Sequence, residues 1–152
     1  MIENILVALD GSKAANKALE FALDLAEKYS AHVVLLTAAD AVPVPLTVYS
    51  APDMELGAPV FMEKYLKELK NYHEKMLAKA LKKAKKSKPN VKISTKLVEG
   101  RPAHTIIDTA KEGKFDIIVM GSRGLGGIKE FFLGSVSDRV ADEAPCPVLI
   151  VK

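Results

Sequence analysis

The sequence predicts an α/β fold, an open doubly wound parallel sheet of five strands and four helices, and three observations carry that prediction. Short apolar runs alternate with stretches of three- and four-residue apolar periodicity along all 152 residues. Most of those runs are nearly continuous, the pattern of strands covered on both faces by crossover helices. Glycines cluster just after the fourth run, in MGSRGLGGIKEFFLGSVSD at residues 120–138, where a strand-to-helix loop belongs and where bare backbone N–H groups can meet an anion.

Each element has its own reason. Residues 4–9 (NILVAL) are the first strand. Asp10-Gly11-Ser12 then leads into a helix with Ala18, Ala22, Leu25, Ala26 and Tyr29 on one face and Ser12 as its N-cap. Residues 32–38 (HVVLLTA) are the second strand. From 39 to 59 the chain holds four of its eight prolines and reads as a long loop or lid, not a linker, because neither side is large enough to be independent. Residues 62–88 form a helix with Tyr65, Leu69, Tyr72, Met76, Ala80 and Ala84 along an apolar stripe, ended before Pro89-Asn90.

In the third strand, residues 91–98, Val91, Ile93 and Leu97 alternate with Lys92, Ser94 and Lys96, which suits a sheet edge with one wetter face. Pro102 opens a third helix carrying Ile106, Ile107 and Ala110, which stops at Gly113. Residues 115–120 are the fourth strand, bounded by the glycine loop. Ser135-Val136-Ser137-Asp138 resembles a capping box, and Val136, Val140 and Ala144 face one way before Pro145. Val148 to Val151 close the sheet. Ligands of such sheets sit outside the carboxyl ends of the strands, where Asp10, Ala38 and the loop at Gly121 could converge.

Composition bounds the partners. A chain of this length is one domain, residues 1–152, able to bury roughly two-thirds of its unfolded surface. No apolar run approaches the roughly 18 residues that span a bilayer, and MIENILVALDG lacks a basic segment and a cleavage site, so a soluble, unexported, cytoplasmic protein without a membrane partner is expected. The single cysteine, Cys146, cannot form an internal disulfide and reads as a small buried hydrophobe between two prolines. Net charge is +3, but residues 62–88 hold ten lysines against three glutamates, a balance of +7 that leaves −4 for the remainder. Those lysines fall on the solvent side of an amphipathic helix and crowd its last turns, where they complement the helix dipole. No aromatic or arginine interleaving supports a nucleic-acid patch, and no nucleic-acid partner is expected.

The glycine loop has a definite spacing: Gly121, two residues, Gly124, nine residues, then Gly134-Ser135. With the opening ILVALDGS and the closing PCPVLIVK, it resembles the universal stress protein family of the ATP-binding kind. The likeness covers the whole chain and is weakest between residues 39 and 90. The resemblance implies a Rossmann-like sheet of the adenine nucleotide alpha hydrolase-like type, in the order 3-2-1-4-5, with the nucleotide crossing the ends of strands 1, 2 and 4. It implies Asp10 as acceptor for the ribose hydroxyls, which suits a carboxylate because it accepts without donating. It implies Ala8 and Ala38 beside the adenine, with Leu9 between Ala8 and Asp10, and Met120 flanking the same pocket. The amides of Gly121, Ser122, Arg123 and Gly124, with those of Gly134, Ser135 and Val136 at a helix N-terminus, would cradle the phosphates. Arg123 and Lys129 either add charge or are solvated. Magnesium is the divalent ion expected between phosphate oxygens, carboxylates for a protein cage being scarce.

Taken singly, each motif also fits a turn or loop without a ligand. Other phosphate motifs fit worse: no Walker lysine follows the glycines, and the loop runs GxxGxG where a dinucleotide fingerprint would run GxGxxG. A receiver domain would place a phosphoacceptor aspartate after the third strand, where this chain has Glu99-Gly100. None of His32, His73 and His104 adjoins the glycine loop, so slow or partner-dependent ATP hydrolysis is expected. Two functions then remain: an ATP-binding stress-response switch whose loop at 39–59 presents a surface to an unidentified signalling partner, and a nucleotide-independent dimeric scaffold. The uncharged fifth strand offers unpaired backbone if it lies at an edge, and a homodimer through Val148 to Val151 is expected in both, as the resemblance also implies.

Overall fold

The computed structural model of the chain describes residues 1–40, 58–125 and 133–152. Most of the proline-rich stretch 39–59, and Lys129 with its neighbours, therefore lie outside the described residues. Nine elements follow in order: β1 (Asn4–Ala8), α1 (Lys13–Tyr29), β2 (His32–Ala39), α2 (Ala58–Ser87), β3 (Ile93–Glu99), α3 (Pro102–Glu112), β4 (Ile117–Gly121), α4 (Ser135–Glu143) and β5 (Val148–Val151). All strand pairs are parallel and the order is β3-β2-β1-β4-β5, so the chain reverses direction of travel at β1 and leaves a crevice between β1 and β4.

The two sheet faces divide the strand residues by parity. Ile5, Val7, Val33, Leu35 and Val119 pack under α1 and α2, with Leu19, Leu23 and Leu77. Leu6, Leu36, Ile118 and Met120 pack under α3 and α4, with Ile106, Ala110 and Val140. Strands buried on both sides explain the unbroken apolar runs. At the edge, β3 keeps Ser94 and Lys96 exposed, as its alternation predicted, but Thr95 between them is exposed as well, so the edge strand is wetter than a strict alternation.

Several details correct the sequence reading. Tyr29 is not buried but 42% exposed, because it is the last residue of α1, past the turns whose Ala18, Ala22 and Ala26 meet the sheet. Tyr72 is likewise exposed, while Leu77, outside the stripe as read from the sequence, is buried together with Ala84. The third strand begins at Ile93 and the fourth at Ile117, each two residues later than expected, and β4 runs on through Gly121. Gly113 ends α3 in a right-handed conformation (φ −82°), and Lys114 takes the left-handed one (φ 48°). A side chain at Gly113 would strike the Phe115 ring, so glycine is there for packing. The capping box does not form. Gly134 is the N-cap of α4, and among the described residues no side chain caps the helix.

At the amino-terminal edge of the sheet, one carboxylate oxygen of Asp116 accepts from the backbone N–H of both Asn4 and Glu3 at 2.8 Å each, clamping β1 to the start of β4. These bonds, Asn4's foremost, hold the Asp116 pKa below the usual carboxylate range. A depressed folded pKa contributes stability above the unfolded value of about 4 and loses it as pH falls through the folded value. Asp116→Asn is expected to melt earlier than the wild type at neutral pH, with the gap closing as pH falls below about 4. Paired thermal melts from pH 7 to 3 check this, and a constant gap would show that the clamp is not electrostatic.

Candidate functional site

The carboxyl ends of β1, β2 and β4 and the first turns of α3 and α4 enclose a cleft of about 590 Å³, the size of a small-ligand site. One side is apolar: Ala8, Leu36, Ala38, Pro102, Ile106 and Met120. The other carries Asp10, Arg123, Gly124 and the Gly134–Ser137 turn.

Local geometry explains how these residues meet. β1 ends at Ala8, but Leu9 stays attached to β2 because its N–H donates to the Leu36 carbonyl (2.8 Å) and its own carbonyl accepts from the Thr37 hydroxyl (3.0 Å). Asp10 then turns the chain: its Oδ1 accepts from the Ser12 N–H at 2.9 Å. Gly11 takes φ 85°, a conformation open to glycine and costly for other residues, while Met76 of α2 lies over it. Ser12 caps α1 by accepting from the Ala15 N–H at 3.1 Å, and its hydroxyl reaches the Arg123 carbonyl at 3.4 Å. The turn after β1 and the glycine loop after β4 are thereby joined.

The three motif glycines serve different ends. A Cβ on Gly121 would lie 2.8 Å from the Ala14 carbonyl carbon, the Ala14 Cβ and the Ala15 nitrogen, so the first turn of α1 rests directly on this residue. A Cβ on Gly124 would lie 2.7 Å from Oδ2 of Asp10, the carboxylate oxygen not used by Ser12. A Cβ on Gly134 would meet only ordinary contacts, the Ser122 carbonyl at 3.4 Å being nearest.

Eleven of the twelve residues expected at the site line the cleft, and Ser122 is the exception. Its N–H is given to the Val151 carbonyl of β5 (2.8 Å), so that amide is not available to cradle a ligand. Sequence reasoning missed Leu36, Pro102 and Ile106, whose apolar side chains read simply as core or helix start, and Ser137, which was hidden inside the supposed capping box.

The α4 N-terminus differs from that of α1. Where the Ser12 hydroxyl accepts from one orphan donor of α1, that of Ala15, no side chain among the described residues caps α4, and Ser135 and Val136 sit at the cleft in its first turn with the positive end of the helix dipole behind them. Such a terminus receives an anion well. None of the three histidines lines the cleft. His32 bonds the Ser94 hydroxyl at 2.9 Å at the opposite end of the sheet, with its pKa lowered by burial and then by Lys92. His73 is packed into α2's inner side, where burial lowers its pKa, and His104 is exposed on α3. Burial, helped by the Asp116 carboxylate, raises the Cys146 thiol pKa and opposes the thiolate a nucleophile needs. Among the described residues no group of three or more His, Cys, Asp or Glu could hold a metal ion, and no helix is long and apolar enough to cross a membrane.

The fold recurs in known proteins. The family model described as the Universal stress protein family matches residues 1–152. Universal stress protein YxiE of Bacillus subtilis (strain 168) is 38% identical over 152 residues, covering 100% of both chains. Among solved structures, the universal stress protein UspA from Lactobacillus plantarum superposes with a TM-score of 0.81 at 26% identity, over 99% of this chain and 97% of that one. A universal stress protein crystallised in complex with cAMP gives a TM-score of 0.68 at 26% identity, over 99% and 96% of the two chains. This chain belongs to the universal stress protein family.

Proposed function

We propose that the cleft binds an adenine nucleotide, ATP, and that the protein acts as a nucleotide-dependent switch in the stress response. The observation that carries this is the meeting, in one cleft, of an apolar slot, a carboxylate with one unengaged oxygen and an uncapped helix N-terminus. Ala8, Ala38, Leu36, Ile106 and Met120 would hold the base by apolar contact. Asp10 Oδ2 would accept from a ribose hydroxyl. Gly124, Ser135 and Val136 would present N–H groups to phosphate oxygens, with the Ser135 hydroxyl as a further donor and Arg123 at the same wall. The cAMP-bound relative supports an adenine-nucleotide ligand.

The donor set fits a nucleotide better than it fits a free cation. With no protein cage for a metal among the described residues, magnesium would be held chiefly by the phosphates it neutralises. No histidine lines the cleft to take a proton from water, so the chain's residues bind and orient ATP, and hydrolysis is slow or needs a partner. β5 lies at the sheet edge with Val148, Leu149 and Ile150 only partly buried, which supports a homodimer through Val148 to Val151. Sedimentation at high concentration checks that, with a monomer counting against it.

Nucleotide binding is tested by identifying small molecules released from the purified protein and by titrating the emptied protein with ATP. Saturable binding is expected, and a hundredfold excess over Kd should add about 2.7 kcal/mol of stability, a rise of roughly 5–10 °C in Tm for a chain of this size. Absence of both binding and thermal shift would leave the dimeric scaffold as the surviving function.

A further inference from the structure

We propose that Ser137 is a positioning residue, a clip that holds Ser122 to Gly134 and sets the distance between the two halves of the anion cradle. It rests on the nucleotide-site reading above. Ser137 is 2% exposed. Its hydroxyl lies 2.8 Å from the Ser122 carbonyl and 2.9 Å from the Gly134 carbonyl, which share its single proton. The contact with Gly134 is local, one helical turn back. The contact with Ser122 spans 15 residues and has no role within α4 itself.

Ser122 is the fixed end of the clip. Its N–H is bonded to Val151 at the end of β5 (2.8 Å), and its carbonyl accepts from both the Gly134 N–H (2.8 Å) and the Ser137 hydroxyl. Both lone pairs of that carbonyl are therefore used, and the loop's two ends meet at one oxygen tied to the sheet. Gly134 opens α4 and Ser122 precedes Arg123 and Gly124, so whatever holds Ser122 to Gly134 sets how far the Ser135 and Val136 amides stand from Gly124. Without the hydroxyl, one bond between backbones remains, and it can pivot. Preorganised donors matter because a cradle that must be tightened by its ligand binds it more weakly.

The test compares the wild type, Ser137→Ala and Ser137→Thr, the last keeping the hydroxyl. Amide exchange of the Gly134 N–H in the nucleotide-free protein is expected to quicken about five- to tenfold in Ser137→Ala, the loss of one hydrogen bond, with Val119 in the central sheet unchanged. ATP affinity should fall about tenfold, and Ser137→Thr should restore both. Equal exchange and equal ATP affinity in Ser137→Ala and wild type would overturn the clip while leaving the nucleotide site standing. Faster exchange at Gly134 and Val119 alike would overturn it too, by showing general destabilisation. A wild type that binds no ATP would defeat the site and the clip's purpose together.

Discussion

Gly121→Ala is expected to lose about 2–3 kcal/mol of folding stability, the cost of overpacking a site that has no room for a methyl group. The added Cβ would sit 2.8 Å from three atoms of Ala14 and Ala15, two of which are backbone. A flexible side-chain tip could swing away, but the first turn of α1 cannot move without disturbing the Ser12 cap and the turn that carries Asp10. Ala15, Ala18 and Ala22 press the same helix onto the sheet beside β4, so α1 has little freedom to lift. For a chain of this length, Tm should fall by roughly 5–10 °C. Urea melts at one temperature, with m-values compared, are the check. A variant as stable as the wild type would mean that α1 does not rest on Gly121.

This first prediction also shows where sequence reading succeeded and why it stopped. The strand order, parallel pairing and division into two covered faces were legible because continuous apolar runs and helical stripes are properties of consecutive residues. Those residues of the cleft that follow strands or belong to the glycine motif were legible for that reason, whereas Leu36, Pro102 and Ile106 lie inside elements and read as core or helix start. The separate duties of those glycines were not. Gly121 is required by a helix that lies 106 positions earlier in the chain at its Ala15 contact, and Gly124 by a carboxylate at residue 10. Ser122 looked like a cradle residue and is a tether, since its amide partner sits on the last strand. The capping box failed because the helix starts one residue earlier than the box requires: Ser135 is already helical and the extended Gly134 is the cap. Tyr29 and Tyr72 had the right spacing for a buried stripe, but spacing does not say how deeply each position packs: Tyr29 is the last residue of α1, and Tyr72 is exposed although Tyr65 and Leu69 of the same stripe are partly buried.

Gly124→Val should abolish most of the nucleotide affinity, a loss of about a hundredfold or more, while leaving the nucleotide-free protein folded. The size follows from two effects at one position. A side chain there would fill the space by which phosphate oxygens approach the loop, and its Cβ would meet Asp10 Oδ2 at 2.7 Å, pushing away the oxygen assigned to the ribose. Loss of two polar contacts at about 1.5 kcal/mol or more each, since one partner is charged, corresponds to at least a hundredfold. The fold should survive because Gly124 is exposed, its φ is not positive, and among the described residues a Cβ there clashes only with the tip of the Asp10 side chain. That contrast with Gly121, whose clash is with backbone, separates a stability glycine from a binding glycine within one motif. Calorimetric titration of ATP into Gly124→Val, Asp10→Ala and the double variant reads it out. If Gly124 acts partly through Asp10, the double variant should lose less than the two single losses added together. Simple additivity would confine Gly124 to the phosphates, and wild-type affinity in Gly124→Val would remove the glycine loop from the binding site altogether.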